Sequence, residues 1–283
     1  MRGRPRASRR LVGVRALDLM RQWPVPHAAG GVVMTDKGVI DTEGDVDRVF
    51  RLASVTKPLV AYAVLIAIEE GAIELDQPAG PPGATVRHLL AHTSGLAFDS
   101  REVLAKPGAK RIYSSAGFEV LADFVAEHTE IPFDSYLHQA VFEPLGMTSS
   151  VLAGPAGHAA RSSVADLLRF AEELLNPTLV SAELYAKAST VQFPDRNGVL
   201  PGYGSQRPND WGLGFEIRDH KLPHWTGGAN SPRTYGHFGQ SGTFLWVDPE
   251  VGMACLALAD ENFGDWARAA WPTLSDAVIA EFA

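Results

Sequence analysis

The sequence has one cysteine, Cys255, so no disulfide can form within the chain. Charged residues are scarce at 20%. No apolar run approaches the roughly 18 residues that span a bilayer, so no membrane partner is expected. Positive charge is also missing from most of the chain. Residues 1–21 hold seven arginines and one acid, Asp18, which leaves 18 basic and 32 acidic residues for the rest, a net charge of −14. Phosphate binding needs clustered cations, so no nucleic-acid partner is expected. Neither standard Gly-rich phosphate loop occurs, and there is no Gly-x-Ser-x-Gly elbow; Gly239-Gln240-Ser241-Gly242 is one residue short of it.

What is present suits a folded protein. The 283 residues are 46% hydrophobic, enough for a sizeable core in one large domain or two lobes. The basic start lacks the uninterrupted apolar stretch of a secretory signal, because Arg15 and Asp18 break Leu11 to Met20. We expect a disordered basic arm over 1–10, an amphipathic helix over 11–22 and a cytoplasmic location; a misplaced start codon would give the same basic run.

Periodicity orders the remainder. AGGVVM (29–34), a turn at Thr35–Gly38 and Val39–Ile40 predict a hairpin, and 49–53 a further short strand. From Pro58 to Ile68 there is no charged side chain, which predicts a helix buried on every face. Helices are predicted over 85–92, 116–128 and 164–175, the last with apolar residues at helical spacing. Residues 193–210, rich in Pro, Gly, Asn and Asp, predict an irregular loop. Strands are predicted over 211–218, 235–240, 243–247 and 253–259, with a closing helix in 265–282 starting at Pro272. Strands at both ends and helices between imply an α+β architecture: one antiparallel sheet built from both chain ends, with a helical lobe inserted. The expected division of residues 11–283 is a sheet lobe over about 24–53 and 205–283 and a helical lobe over about 54–204.

Ser54-Val55-Thr56-Lys57 stands at the mouth of the uncharged helix. Serine and lysine three apart share a helix face. Pro58 fits a first helical turn, so Ser54 falls at the helix N-terminus, where the dipole favours developing negative charge. A lysine at the base of a buried helix is desolvated, which lowers its pKa and makes it a proton acceptor for Ser54. With 17 serines and six lysines, chance predicts less than one Ser-x-x-Lys; one occurs. On its own the motif also fits an ordinary N-cap serine.

RLASVTKPLVAY (51–62) resembles the active-site segment of the serine β-lactamase and penicillin-binding-protein superfamily, in the branch of class C β-lactamases, D-alanyl-D-alanine carboxypeptidases and class VIII esterases. TVRHLLAHTSGL (85–96), PGAKRIYSSAG (107–117), PFDSYLHQAVFEPLGMT (132–148) and YGHFGQSGTFLWVDPE (235–250) resemble later blocks in the same order. The likeness runs from about residue 25 to 260. It implies a β-lactamase/transpeptidase-like fold with Ser54 as nucleophile, Lys57 as its partner and Tyr113 as a phenol sharing the proton transfer. His237-Phe238-Gly239 matches the third motif. His237 would supply a donor or a positive charge. Gly239 would let substrate approach the strand, and the N–H of Gln240 would join that of Ser54 in an oxyanion hole.

Two positions depart from the family. Ser115 replaces its asparagine, and either a substrate contact or an N-cap role is open. Phe238 replaces a threonine whose hydroxyl holds a substrate carboxylate, which phenylalanine cannot do. Both changes favour a carboxylic ester hydrolase acting on a small acyl substrate without a cofactor. The alternatives are a β-lactamase or D-alanyl-D-alanine carboxypeptidase, and a non-catalytic penicillin-binding-like protein. His88 and His92, four apart, lack a third ligand at a fitting interval, so no metal is expected. Tyr203, Trp211 and Trp225 are candidates for lining the cleft. Composition says nothing of oligomeric state.

Overall fold

The computed structural model describes residues 15–283. The chain runs from a 3-10 helix (Ala16–Gln22) into β1 (Ala28–Met34), β2 (Gly38–Glu43) and β3 (Phe50–Arg51). Next come α1 (Thr56–Glu69), α2 (Val86–Leu90), α3 (Ser115–Thr129) and α4 (Phe133–Leu137). They lead through β4 (Val151–Leu152) and β5 (Ala160–Ser162) to α5 (Val164–Leu175) and α6 (Ala182–Ala188). The last third holds β6 (Gly198–Leu200), β7 (Gly204–Gln206), β8 (Glu216–Ile217), β9 (Tyr235–Gly239), β10 (Thr243–Asp248), β11 (Met253–Ala259) and α7 (Asp265–Phe282).

Both chain ends build the main sheet, in the order β2-β1-β11-β10-β9-β8, with every pair antiparallel. The register of β1 on β11 runs from Ala28 opposite Ala259 to Met34 opposite Met253. All seven residues of β11 are buried, because helices cover both faces of the sheet. On one face α5 packs across β1 and β11. On the other, α7 and the N-terminal 3-10 helix close over Phe244, Trp246 and Cys255 through Trp271 and Leu274. The architecture is the α+β arrangement of the sequence reading, an antiparallel sheet from both chain ends flanked by helices.

The helix α1 runs through the centre. Every residue from Thr56 to Ala67 is buried, as its lack of charge predicts. Its approach to the 211–216 segment is so close that a Cβ on Gly214 would overlap that of Ala61.

Several expected boundaries differ. α5 lies on the sheet rather than in a separate helical lobe. The 193–210 loop contains the β6–β7 hairpin, which turns at Gly202 and Gly204, both at positive φ. The 211–218 strand shrinks to β8, because Gly214 turns the chain at φ 87°. Pro272 sits inside α7, not at its start: burial of Ala267, Trp271 and Leu274 on one stripe outweighs the backbone bond that proline removes. The N-terminal amphipathic helix is a 3-10 helix over Ala16–Gln22; its expected first residues and the basic arm lie outside the described residues. Among the described residues no helix is long and apolar enough to cross a membrane.

Truncation inside α1 should be costly, since a packed core relaxes only partly into the gap. Leu65→Ala, at a fully buried position, is expected to lower stability by about 2–5 kcal/mol in urea unfolding. An unchanged unfolding midpoint would show that α1 is not held by packing.

Candidate active site

Ser54 lies in a 3-10 turn (Ala53–Val55) that runs directly into α1, at the helix N-terminus. Ala53, just before it, holds φ 46°, a left-handed conformation that non-glycine residues rarely adopt. Strand β9 and the residues after it hold this turn. The Ser241 hydroxyl donates to the Arg51 carbonyl at 2.6 Å, and the Thr243 hydroxyl donates to Leu52 at 2.8 Å. A Cβ on Gly239 would overlap the Leu52 carbonyl and the Thr243 hydroxyl. So it is the protein's own backbone, rather than a substrate, that approaches Gly239 closely. Ser241 and Thr243 carried no signal in the sequence as positioning residues.

Lys57 is fully buried one turn further on. Its amine is 2.8 Å from the Gly157 carbonyl, 3.0 Å from Ser115 Oγ and 3.5 Å from Ser54 Oγ. All three partners are neutral oxygens. Burial lowers the amine to about 7, with Glu119 opposing from a distance. A neutral amine has two protons and one lone pair. With the protons committed to Gly157 and Ser115, the lone pair faces Ser54.

This arrangement depends on Ser115 not capping α3. The cap is Ser114, whose hydroxyl accepts from Gly117 N–H at 2.9 Å and donates to the Ala97 carbonyl at 2.6 Å. Ser115 is thereby free to meet Lys57. Gly157 went unnoticed in the sequence; it packs so tightly on Ser115 that a Cβ would fall 2.8 Å from that of Ser115.

Tyr113 presents its ring face to Lys57, with Nζ 4.6 Å from the ring centroid. Its hydroxyl lies 3.3 Å from His237 Nε2. Burial acts on the lysine and the phenol in opposite directions. It disfavours the ammonium cation and the phenolate anion alike, so Lys57 falls while the Tyr113 phenol rises, with Ser54 pulling it partway back. The ionisable base of this pair is therefore Lys57.

His237 is also neutral. Burial, helped by nearby Lys57, pushes it down to about 3, which removes the positive charge expected of it. Its Nδ1 lies 2.6 Å from the Phe238 carbonyl, which only accepts, so Nδ1 carries the proton. Nε2 is then an acceptor, and the Tyr113 hydroxyl donates to it.

The segment that carries Tyr113 is tied to His92. The Ile112 N–H donates to the His92 carbonyl at 2.8 Å, and the Ser114 N–H donates to His92 Nδ1 at 3.1 Å. His92 also stacks on Tyr113, whereas His88 faces Thr85 and Phe193, so the two imidazoles of the candidate metal pair engage different neighbours.

Ser54, Tyr113, His237, Phe238 and Gln240 border one cavity of about 150 Å³. Trp211 lines it as expected; Tyr203 and Trp225 pack behind Phe238 instead. Phe98, Leu200, Pro201 and Glu216 complete the wall and were not singled out in the sequence. Leu200 and Pro201 come from the hairpin read as a loop. Glu216 is buried with His224 Nε2 at 2.9 Å and the Lys221 amine beside it. Burial alone would raise its carboxyl, but Lys221 and His224 hold it well below the usual carboxylate range.

A serine at a helix mouth, a lysine of lowered pKa behind it and a tyrosine beside them meet on this α+β fold, an arrangement whose chemistry suits acyl transfer. Comparison with known proteins agrees. The family profile described as Beta-lactamase matches residues 4–278, and the chain belongs to that family. A solved Mycobacterium bovis protein described as a beta-lactamase (Mb2281c) is 59% identical, with a TM-score of 0.93 over 94% of this chain and 99% of that one. Esterase EstB of Burkholderia gladioli is 36% identical over 123 residues, which cover 38% of this chain and 29% of that protein. Penicillin-binding protein 4* of Bacillus subtilis is 26% identical over 157 residues, 44% of this chain and 34% of that protein. The matches thus span about a third of these curated relatives. Simvastatin synthase of Aspergillus terreus shares the fold, with a TM-score of 0.78 at 17% identity over 94% of this chain and 96% of that one.

Two outcomes are expected. Lys57 must be neutral to accept a proton, so kcat/KM for an activated ester should rise with pH to a plateau above about 7. A flat profile between pH 5 and 9 would contradict this. Gly239→Ala should displace the Ser54 turn and reduce kcat about 100-fold or more while circular dichroism stays native. Unchanged turnover would mean that the turn is not positioned by β9.

Proposed function

We propose that this protein is a serine hydrolase that cleaves carboxylic esters through an acyl-enzyme on Ser54. The Ser54 hydroxyl attacks the ester carbonyl and passes its proton to neutral Lys57. The oxyanion rests on the N–H groups of Ser54 and Gln240 at the mouth of α1, where the helix dipole favours negative charge. Lys57 then protonates the leaving alcohol. Water attacks the acyl-enzyme, again giving its proton to Lys57; Ser54 recovers its proton and the acid departs. Tyr113, held by its bond to His237, keeps its phenol oxygen beside Ser54 and stays protonated throughout.

The observation that supports an ester over a β-lactam or a D-alanyl peptide is the cavity wall. Such substrates bring a carboxylate. Phe238 offers no hydroxyl for it, His237 is uncharged, and the cation near the wall, Lys221, is already paired with Glu216. Neutral esters meet no such penalty. Esterase EstB, 36% identical over the matched segment, supports the same reading by its name.

A second reading is a β-lactamase, favoured by the description of the Mycobacterium bovis protein at 59% identity. Assays with p-nitrophenyl butyrate and nitrocefin separate the two. We expect ester turnover with a mass increase of one acyl group on Ser54, and loss of both in Ser54→Ala. Faster turnover of nitrocefin would favour the β-lactamase, and stable acylation without turnover would favour a binding protein.

A further inference from the structure

The cavity at Ser54 is not isolated. A second apolar groove of about 490 Å³ lies against it, and the two share Phe98, Tyr113 and Pro201 as a common wall. The groove is built from Leu104, Ile112 and Val199, with Lys110 at its edge. Phe98, Leu104 and Val199 are 54%, 56% and 60% exposed, so a cluster of large apolar side chains faces solvent around the entrance to the site. Apolar surface gathered in this way, continuous with a catalytic cavity, calls for an apolar guest.

Resting on the ester reading above, we infer that the substrate is an ester of a compact apolar acid with a long apolar alcohol, the acid in the inner cavity and the alcohol along the outer groove. Only the inner cavity reaches Ser54 and Gln240, so the carbonyl and the acyl group bonded to Ser54 belong there. A space of about 150 Å³, with polar groups in its wall but mostly apolar exposed surface, holds a guest the size of benzene, which limits the acyl group to about six carbons. The departing oxygen must stay beside the Lys57–Tyr113 pair to be protonated. A group leaving past Tyr113 enters the groove of which Tyr113 is the wall. Phe98 and Pro201 then separate the two halves of the substrate.

Two series test this. Alkylboronic acids add the Ser54 oxygen to boron and place the alkyl chain where the acyl group sits, so they read the inner cavity without turnover. Affinity should rise about fourfold per methylene up to about six carbons and then fall. Alkyl butyrates from ethyl to decyl read the outer groove. KM should fall at least tenfold along the series with little change in kcat. Leu104→Ser should raise KM for decyl butyrate about fivefold, and by more than it raises that for ethyl butyrate.

Boronic acids that tighten steadily to decyl, or alkyl butyrates with one common KM, would overturn the assignment. If no ester is turned over, the ester reading itself fails. The boronic acids still size the inner cavity in that case. Binding of decyl against ethyl butyrate to Ser54→Ala, followed by tryptophan fluorescence, still reads the groove; equal affinities there would sink its role independently.

Discussion

The burial of one amine governs the site. Lys57 sits at the base of a helix with no charge of its own, and its three hydrogen-bond partners are neutral oxygens. Without a carboxylate partner the lost hydration of an ammonium is compensated only in part, so the proton is held weakly. The same low-polarity surroundings keep Tyr113 and His237 uncharged. Lys57 is thus the one member of this group that burial brings near neutral pH.

Holding an unpaired amine beside a serine requires rigid walls. Gly157 and Ser115 fix the amine from one side, and the ends of β9 and β10 fix the serine turn from the other. His92 anchors the segment that carries Tyr113. The strained backbone at Ala53 belongs to the same construction: the packing of β9 against the turn offsets the cost of a left-handed alanine next to Ser54.

The wall of the cavity comes from different elements than Ser54 and Lys57 do. Ser54 and Lys57 come from the α1 entrance, whereas the cavity wall is assembled from Phe98, from the β6–β7 hairpin and from β8 and β9. Those connections can vary without disturbing the base. This separation suits a family whose named relatives here include an esterase and penicillin-binding proteins.

The sequence alone determined what local pattern controls. The uncharged run from Pro58 to Ile68 required burial, Ser54 and Lys57 were three apart on one face, and strands at both ends required a sheet closed by the two termini. What it left open turns on partners distant in the chain. Of the substrate contact and the N-cap role open to Ser115, the cap was excluded by Ser114 taking it, and Ser115 meets Lys57 instead. The role of Gly239 was decided by Leu52, that of Gly157 by Ser115, and the charge on His237 by its burial beside Lys57. A short polar side chain or a glycine has many possible uses, and no periodicity marks them. Only the packing of segments 40 to 190 residues apart selects one, because hydrogen bonds and desolvation act over a few ångströms of space regardless of separation along the chain.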